Sequence, residues 1–274
     1  MTIDTHVHYW QFDPVRDAWI TEAMAVLRQD YLPQQAKSVF TENAVDACIA
    51  VQADQSETET DFLVELAVQN PFIKGLVGWV DLSSDSIEER LAYYSRFPII
   101  KGWRHIVQAE PMDFLQREDF RRGIKALQAY AYTYDVLVYH QQLKPALAFM
   151  HAFPDQRFII DHCAKPAIAK KEIGEWAKYM KEMAQHPDVY CKLSGLLTEA
   201  AWNDWTPADF YPYLDTVFDC FGTERLLFGS DWPVMLLSGT YRQWKSLLET
   251  YMKNCSDTER QNIFGANAVR CYNL

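Results

Sequence analysis

Basic residues are in deficit: 26 Lys and Arg face 37 Asp and Glu, a formal charge of −11. A surface of that sign repels phosphate backbones and anionic headgroups, which argues against nucleic acid and membrane partners. Long apolar runs are also missing. No stretch approaches the roughly 18 uninterrupted apolar residues of a membrane span. The opening MTIDTHVHYW has no basic segment leading into an apolar one, so a cytoplasmic location is expected. Cys48, Cys163, Cys191, Cys220, Cys255 and Cys271 form no C-x-x-C pair, which points to reduced, mostly buried thiols rather than disulfides or a zinc knuckle. No G-x-G-x-x-G follows the first apolar run and no P-loop occurs, so there is no nucleotide signature. Neither repeats, low-complexity tracts nor Gly/Ser-rich linkers divide the chain, and residues 1–274 are expected to form one domain.

What is present is a regular alternation. Apolar runs of strand character fall at Ile3 to His6, Val45 to Val51, Ile73 to Val80, Ile99 to His105, Val136 to His140, Phe158 to His162, Val189 to Leu193 and Leu226 to Phe228. Between them lie helical stripes, clearest at Ile173, Trp176, Ala177, Met180, Met183 and Ala184, where steps of three and four keep apolar residues on one face. Strands joined by helical crossovers run parallel, and eight such units in 274 residues predict a (β/α)8 TIM barrel, with an open doubly wound sheet as the alternative. Tyr9 to Leu32 is the one long connection, of the length that often covers an active site.

Five of the 7 histidines (His6, His8, His105, His140 and His162) sit at or just past the carboxyl ends of expected strands, and Asp231 closes the eighth. That face is where barrels place their chemistry. His6 and His8, two apart in an extended strand, aim to one side and suit one metal ion or one carbonyl oxygen. Each has a plainer reading: a lone H-x-H is common, Asp231 could be a turn or cap residue, and His151 and His186 read as structural or solvent-facing. Together at strand ends they argue for a site.

The motifs DTHVHYW (Asp4–Trp10), VQADQSETET (Val51–Thr60), GLVGWVDL (Gly75–Leu82), KGWRHIVQ (Lys101–Gln108), IDHCAKP (Ile160–Pro166), KLSGL (Lys192–Leu196), FGSDWP (Phe228–Pro233) and IFGANAVRCY (Ile263–Tyr272) span nearly the whole chain. In order and spacing it resembles the amidohydrolase-related lactonases, closest to the L-fuconolactonase and L-rhamnonolactonase type. The resemblance implies a barrel and ester hydrolysis of a lactone ring. It implies that His6, His8 and His162 polarise the carbonyl while Asp231 activates water, and that Arg104 and His105 face the substrate. No lysine matches the one that becomes carboxylated in two-metal amidohydrolases, so the site would need no metal, or would hold one divalent ion, zinc first, on His6, His8, His162 and Asp231.

His140 is a further candidate for substrate binding. Trp10, Trp79, Trp103 and Trp232 neighbour the motifs and could stack on a sugar, or simply pack; Trp232 is taken as substrate-binding. A dicarboxylate would call for several converging arginines, and only Arg104 is placed for that, so a neutral, small-molecule sugar lactone is the expected partner. The rivals are a metal-dependent decarboxylase on the same barrel and a non-catalytic sugar-binding protein.

Overall fold

The computed structural model describes residues 1–274. Eight parallel strands form one sheet in sequence order: β1 (Ile3–Val7), β2 (Ala47–Val51), β3 (Ile73–Gly78), β4 (Ile100–His105), β5 (Thr133–Val136), β6 (Phe158–Ile160), β7 (Val189–Leu193) and β8 (Leu226–Phe228). Helices occupy the connections: α1 (Pro33–Glu42), α2 (Glu57–Gln69), α3 (Ile87–Tyr94), α4 (Glu118–Leu127), α5 (Leu143–His151) and α6 (Gly174–Met183). They continue with α7 (Leu196–Glu199), α8 (Pro207–Phe221), α9 (Tyr241–Tyr251), α10 (Asp257–Gln261) and α11 (Asn267–Tyr272). The sheet closes where β1 meets the segment after β8: the amide of Asp231 donates to the His6 carbonyl at 2.9 Å and that of His8 to the Trp232 carbonyl at 2.8 Å. This is the expected (β/α)8 barrel. The closing bonds also place Asp231 beside the two histidines of β1.

Local sequence explains the elements. The α2 helix starts at Ser56, whose hydroxyl accepts from the Glu59 amide, with Glu57 and Glu59 against the positive end of the helix dipole. The α8 helix begins with a Thr206–Asp209 capping box and Pro207 in its first turn. Strand residues alternate between two packing zones. Cys48, Ala50, Trp103, Tyr134 and Phe158 face the helices in a 70-residue cluster. Ile3, Ala47, Ile49, Val77, Ile159 and Leu227 fill the barrel interior, which α11 plugs from below with Ala268, Cys271 and Tyr272. Above that apolar layer the inward positions turn charged.

One strand departs from expectation: β5 is Thr133–Val136, not Val136–His140. Its inward residues, Thr133 and Asp135, are polar and fully enclosed, so the strand carries little apolar signal. The following apolar Leu137 and Val138 are buried as loop instead. His140 consequently lies four residues past the strand. The long connection after β1 is tied at its neck by reciprocal amide bonds between Trp10 and Tyr31, both 2.9 Å.

Tyr272 joins the two interior layers, packing on the apolar one while its hydroxyl donates to Asp135 at 3.2 Å. Tyr272→Ala should therefore destabilise the fold by about 3–5 kcal/mol, the scale for truncating a large core aromatic. Urea unfolding checks this, and a midpoint unchanged from the parent would remove α11 from the core.

Candidate active site

The charged layer is built from inward residues of four strands and their ends. Lys192 (β7) and Arg104 (β4) carry the positive charges, Asp135 (β5) and Asp161 (after β6) the negative, and all are buried. Lys192 Nζ lies 2.5 Å from Asp135 Oδ2 and 3.0 Å from Asp161 Oδ1, and Arg104 Nη1 lies 3.0 Å from Asp161 Oδ2. Burial alone would favour the neutral forms. The two carboxylates outweigh it and hold Lys192 charged, while Lys192, His6 and Arg104 hold Asp161 well below the usual carboxylate range. Gln52 completes the clamp on Arg104: its backbone carbonyl and its Oε1, at 3.1 Å, accept from Nη2.

His6 stands on this layer, with Nδ1 3.3 Å from Asp161 Oδ1 and 3.2 Å from Lys192 Nζ. Desolvation pushes His6 far below its ordinary value, so it is neutral. Its other ring nitrogen, Nε2, faces His8, Asp231 and Arg104. On His8 it is Nδ1 that carries a proton, because it lies 2.8 Å from the Val51 carbonyl, which can only accept. The two Nε2 atoms are 3.2 Å apart. Asp231 Oδ1 lies 3.2 Å from His8 Nε2, 3.8 Å from His6 Nε2 and 3.9 Å from His162 Nε2. Burial would raise the Asp231 pKa, but its interactions with His162, His8 and Lys165 outweigh it and keep the carboxylate ionised.

Electron-rich atoms that converge in this way call for a positive partner, and Arg104 Nη1, 3.2 Å from His6 Nε2, is one. The donor set also fits a divalent cation: His6, His8 and Asp231 form a cluster whose ligand atoms lie within 4.8 Å of one another, and His6, Asp161 and His162 form a second, overlapping one. Two imidazoles and a carboxylate are a common zinc ligand set.

His162 and Asp231 are both held in left-handed backbone. Asp231 has φ 63°, and His162, Cys163, Ala164 and Lys165 have φ 54°, 50°, 55° and 46° in succession without a glycine among them. Such residues each cost roughly 1–2 kcal/mol and persist only where surroundings over-determine them. Here Trp176 Nε1 donates to the Cys163 carbonyl at 2.7 Å, the Lys165 amide to the His162 carbonyl at 2.8 Å and His140 Nδ1 to the Lys165 carbonyl at 3.0 Å. Ser194 Oγ meets His162 Nδ1 at 2.9 Å. Gly195, φ 65°, makes room: a Cβ there would lie 2.4 Å from the His162 ring. Burial lowers the His162 pKa to about 4, against the pull of Asp231 and Asp161.

A cavity of about 360 Å³ opens above these groups. Its lining combines the polar His8, His162, Asp231, Arg104 and Lys165 with the apolar Trp19, Ile106, Leu137 and Val234. The geometry brings His6, His8, His162, Asp231 and Arg104 together, as the sequence suggested. It places three other candidates elsewhere. His105 bonds Glu110 at 2.8 Å, receives Trp79 Nε1 at 3.3 Å and stacks on Phe114. Trp232 is buried edge-to-face against Tyr31 and Tyr9. His140 holds the left-handed turn. Trp10 and Trp103 are likewise packed in the core. Sequence reasoning passed over Lys192, Asp135, Gln52 and Lys165. Charged residues inside otherwise apolar strands were the available signal for the first two.

The Amidohydrolase family profile matches residues 3–274, and the chain belongs to that family. It is 39% identical to L-fucono-1,5-lactonase of Burkholderia multivorans, over 100% of this chain and 96% of that protein. It is 33% identical to L-fucono-1,5-lactonase of Burkholderia ambifaria, over 99% and 95%. A crystal structure of an amidohydrolase from Burkholderia multivorans with bound Zn matches with a TM-score of 0.96 at 40% identity, covering 100% of this chain and 99% of that one.

Gly195→Ala should cut kcat/KM at least about a hundredfold, on the scale of losing one transition-state contact, by displacing His162. Gly174→Ala is the control, since a Cβ there meets nothing within 4 Å. Steady-state kinetics with circular dichroism on both variants checks this, and equal activity for the two would detach the His162 ring from Gly195.

Proposed function

We propose that the chain hydrolyses a neutral sugar lactone of the L-fucono or L-rhamnono type, with Asp231 as the base that activates water. The protein is a lactone-hydrolysing enzyme of the amidohydrolase family. The observation that carries the mechanism is the convergence of an ionised, buried Asp231 with His8, His6 and His162 at the floor of a monosaccharide-sized cavity. Asp231 accepts a proton from water as the water oxygen bonds to the lactone carbonyl carbon. Lys165 and Arg104 face the oxygen where negative charge develops, and His162, receiving the Ser194 hydroxyl at Nδ1, offers its Nε2–H there. The C–O ring bond then breaks, and the proton held by Asp231 passes to the departing ring oxygen, leaving a hydroxy acid.

His6, His8 and Asp231, with His162 beside them, are the residues that would hold a zinc ion, which when bound supplies Lewis-acid polarisation of the carbonyl. The relative with bound Zn supports a zinc ion as a partner of this chain. Substrate neutrality is supported by the partners of the cavity's cations. Arg104 is committed to Asp161 and Gln52, and Lys165 Nζ lies 3.8 Å from Glu199, so no unmatched positive charge awaits a dicarboxylate.

Acid release from a panel of aldonolactones, followed with a pH indicator with and without chelator, tests the reading; no turnover on any sugar lactone would overturn it. Asp231→Asn should reduce kcat at least about a hundredfold, the usual minimum for losing a general base, in a protein that still folds. Near-normal kinetics would remove Asp231 from that role. Because Asp231 is ionised below its ordinary value and His162 gains a proton only near pH 4, these two groups should cause no loss of kcat/KM on acidification to about pH 5. A fall should come near 4, where a protonated His162 pairs with Asp231 and withdraws it as a proton acceptor. The absence of any fall near pH 4 in a protein that stays folded would contradict this protonation scheme.

A further inference from the structure

Of the nine tryptophans, Trp19 lines the cavity above the reacting groups, and it keeps 44% of its surface exposed. It lies in the connection after β1, where no motif drew attention to it. Its ring meets Trp10 edge-to-face at 6.2 Å; Trp10 meets Tyr31 at 5.4 Å, and Tyr31 meets Trp232 at 5.1 Å. Trp10 Nε1 is anchored on the Gln29 carbonyl at 2.9 Å, and Trp232 directly follows Asp231. This chain of buried rings fixes the position of Trp19 relative to the catalytic carboxylate. A large apolar side chain, rigidly supported and lining the same cavity as the polar reacting groups, has apolar surface free to meet whatever occupies that space.

We infer that Trp19 is a substrate-contacting residue that stacks on the C–H face of the sugar ring while the hydroxyls and carbonyl meet the polar lining residues. The inference rests on the sugar-lactone reading and adds to it the recognition surface. Stacking on the ring face is remote from the carbonyl, so it contributes equally before and during reaction and belongs in KM rather than kcat. Arg104 and Lys165 give the site polarity, and Trp19 gives it preference for a ring over an open chain.

The test compares Trp19→Leu and Trp19→Phe with the parent, using steady-state kinetics on the best lactone and fluorescence titration with the corresponding free sugar, which keeps the ring but cannot be hydrolysed. Trp19→Leu should raise KM and the sugar Kd by about tenfold, the scale of one aromatic contact, with kcat within about twofold. Trp19→Phe should recover most of the affinity. The parent's fluorescence response to sugar should be largely lost in both variants. Unchanged KM and Kd in Trp19→Leu would overturn the inference, as would a Phe variant as weak as the Leu variant or a loss confined to kcat. If the parent turns over no lactone, the lactonase reading fails, and the sugar titration still decides for or against Trp19.

Discussion

The whole site rests on three linked buried ion pairs, two of which share the Asp161 carboxylate. Lys192 and Arg104 balance Asp135 and Asp161 out of reach of bulk solvent, so removing one member leaves a net charge in the barrel interior at a cost of about 3–5 kcal/mol. The balance has a direct geometric result. Asp161 is held ionised and, with Lys192, meets Nδ1 of His6, which turns the other nitrogen of that ring toward His8 and Asp231. Contacts set in the core thus decide which edge of the His6 ring meets the other reacting groups. Apolar residues in the same places would not hold the ring by its Nδ1.

Strain above that layer is the second part of the design. Four successive left-handed residues, His162 to Lys165, and left-handed Asp231 lie around the cavity, and none is glycine. The clamps from Trp176, His140 and Ser194, with the space left by Gly195, make the arrangement the one the surroundings permit. In exchange, one short turn presents both an imidazole and an ammonium to the same pocket from the end of a three-residue strand.

The alternation of strands and helices was legible because parallel strands enclosed on both faces read as apolar runs. The fifth strand was not, because its inward face is Thr133 and Asp135, chosen for the charged layer rather than for the core. That shift misplaced His140, and through it a substrate role was given to a residue that holds a backbone turn. His6, His8, His162 and Asp231 could be picked out because they follow strand ends in sequence. Lys192 and Asp135 lie inside strands, where a charge is visible but its partner, 57 residues away, is not. Trp232 and His105 show the reverse: they adjoin the motifs in sequence, yet alternation and turn geometry carry their side chains into packing. Trp19 gave no sign, since its place over the cavity depends on how a long connection folds back on itself.

In the proposed reaction, water activated by Asp231 attacks the lactone carbonyl and the acyl C–O bond breaks. Hydrolysis of a sugar lactone in solvent enriched in oxygen-18, with the product analysed by mass spectrometry, shows which bond breaks. One solvent oxygen should enter the new carboxylate and none the hydroxyl released from the ring. Label in that hydroxyl would mean that the ring carbon was attacked instead, and would rule out water attack at the carbonyl.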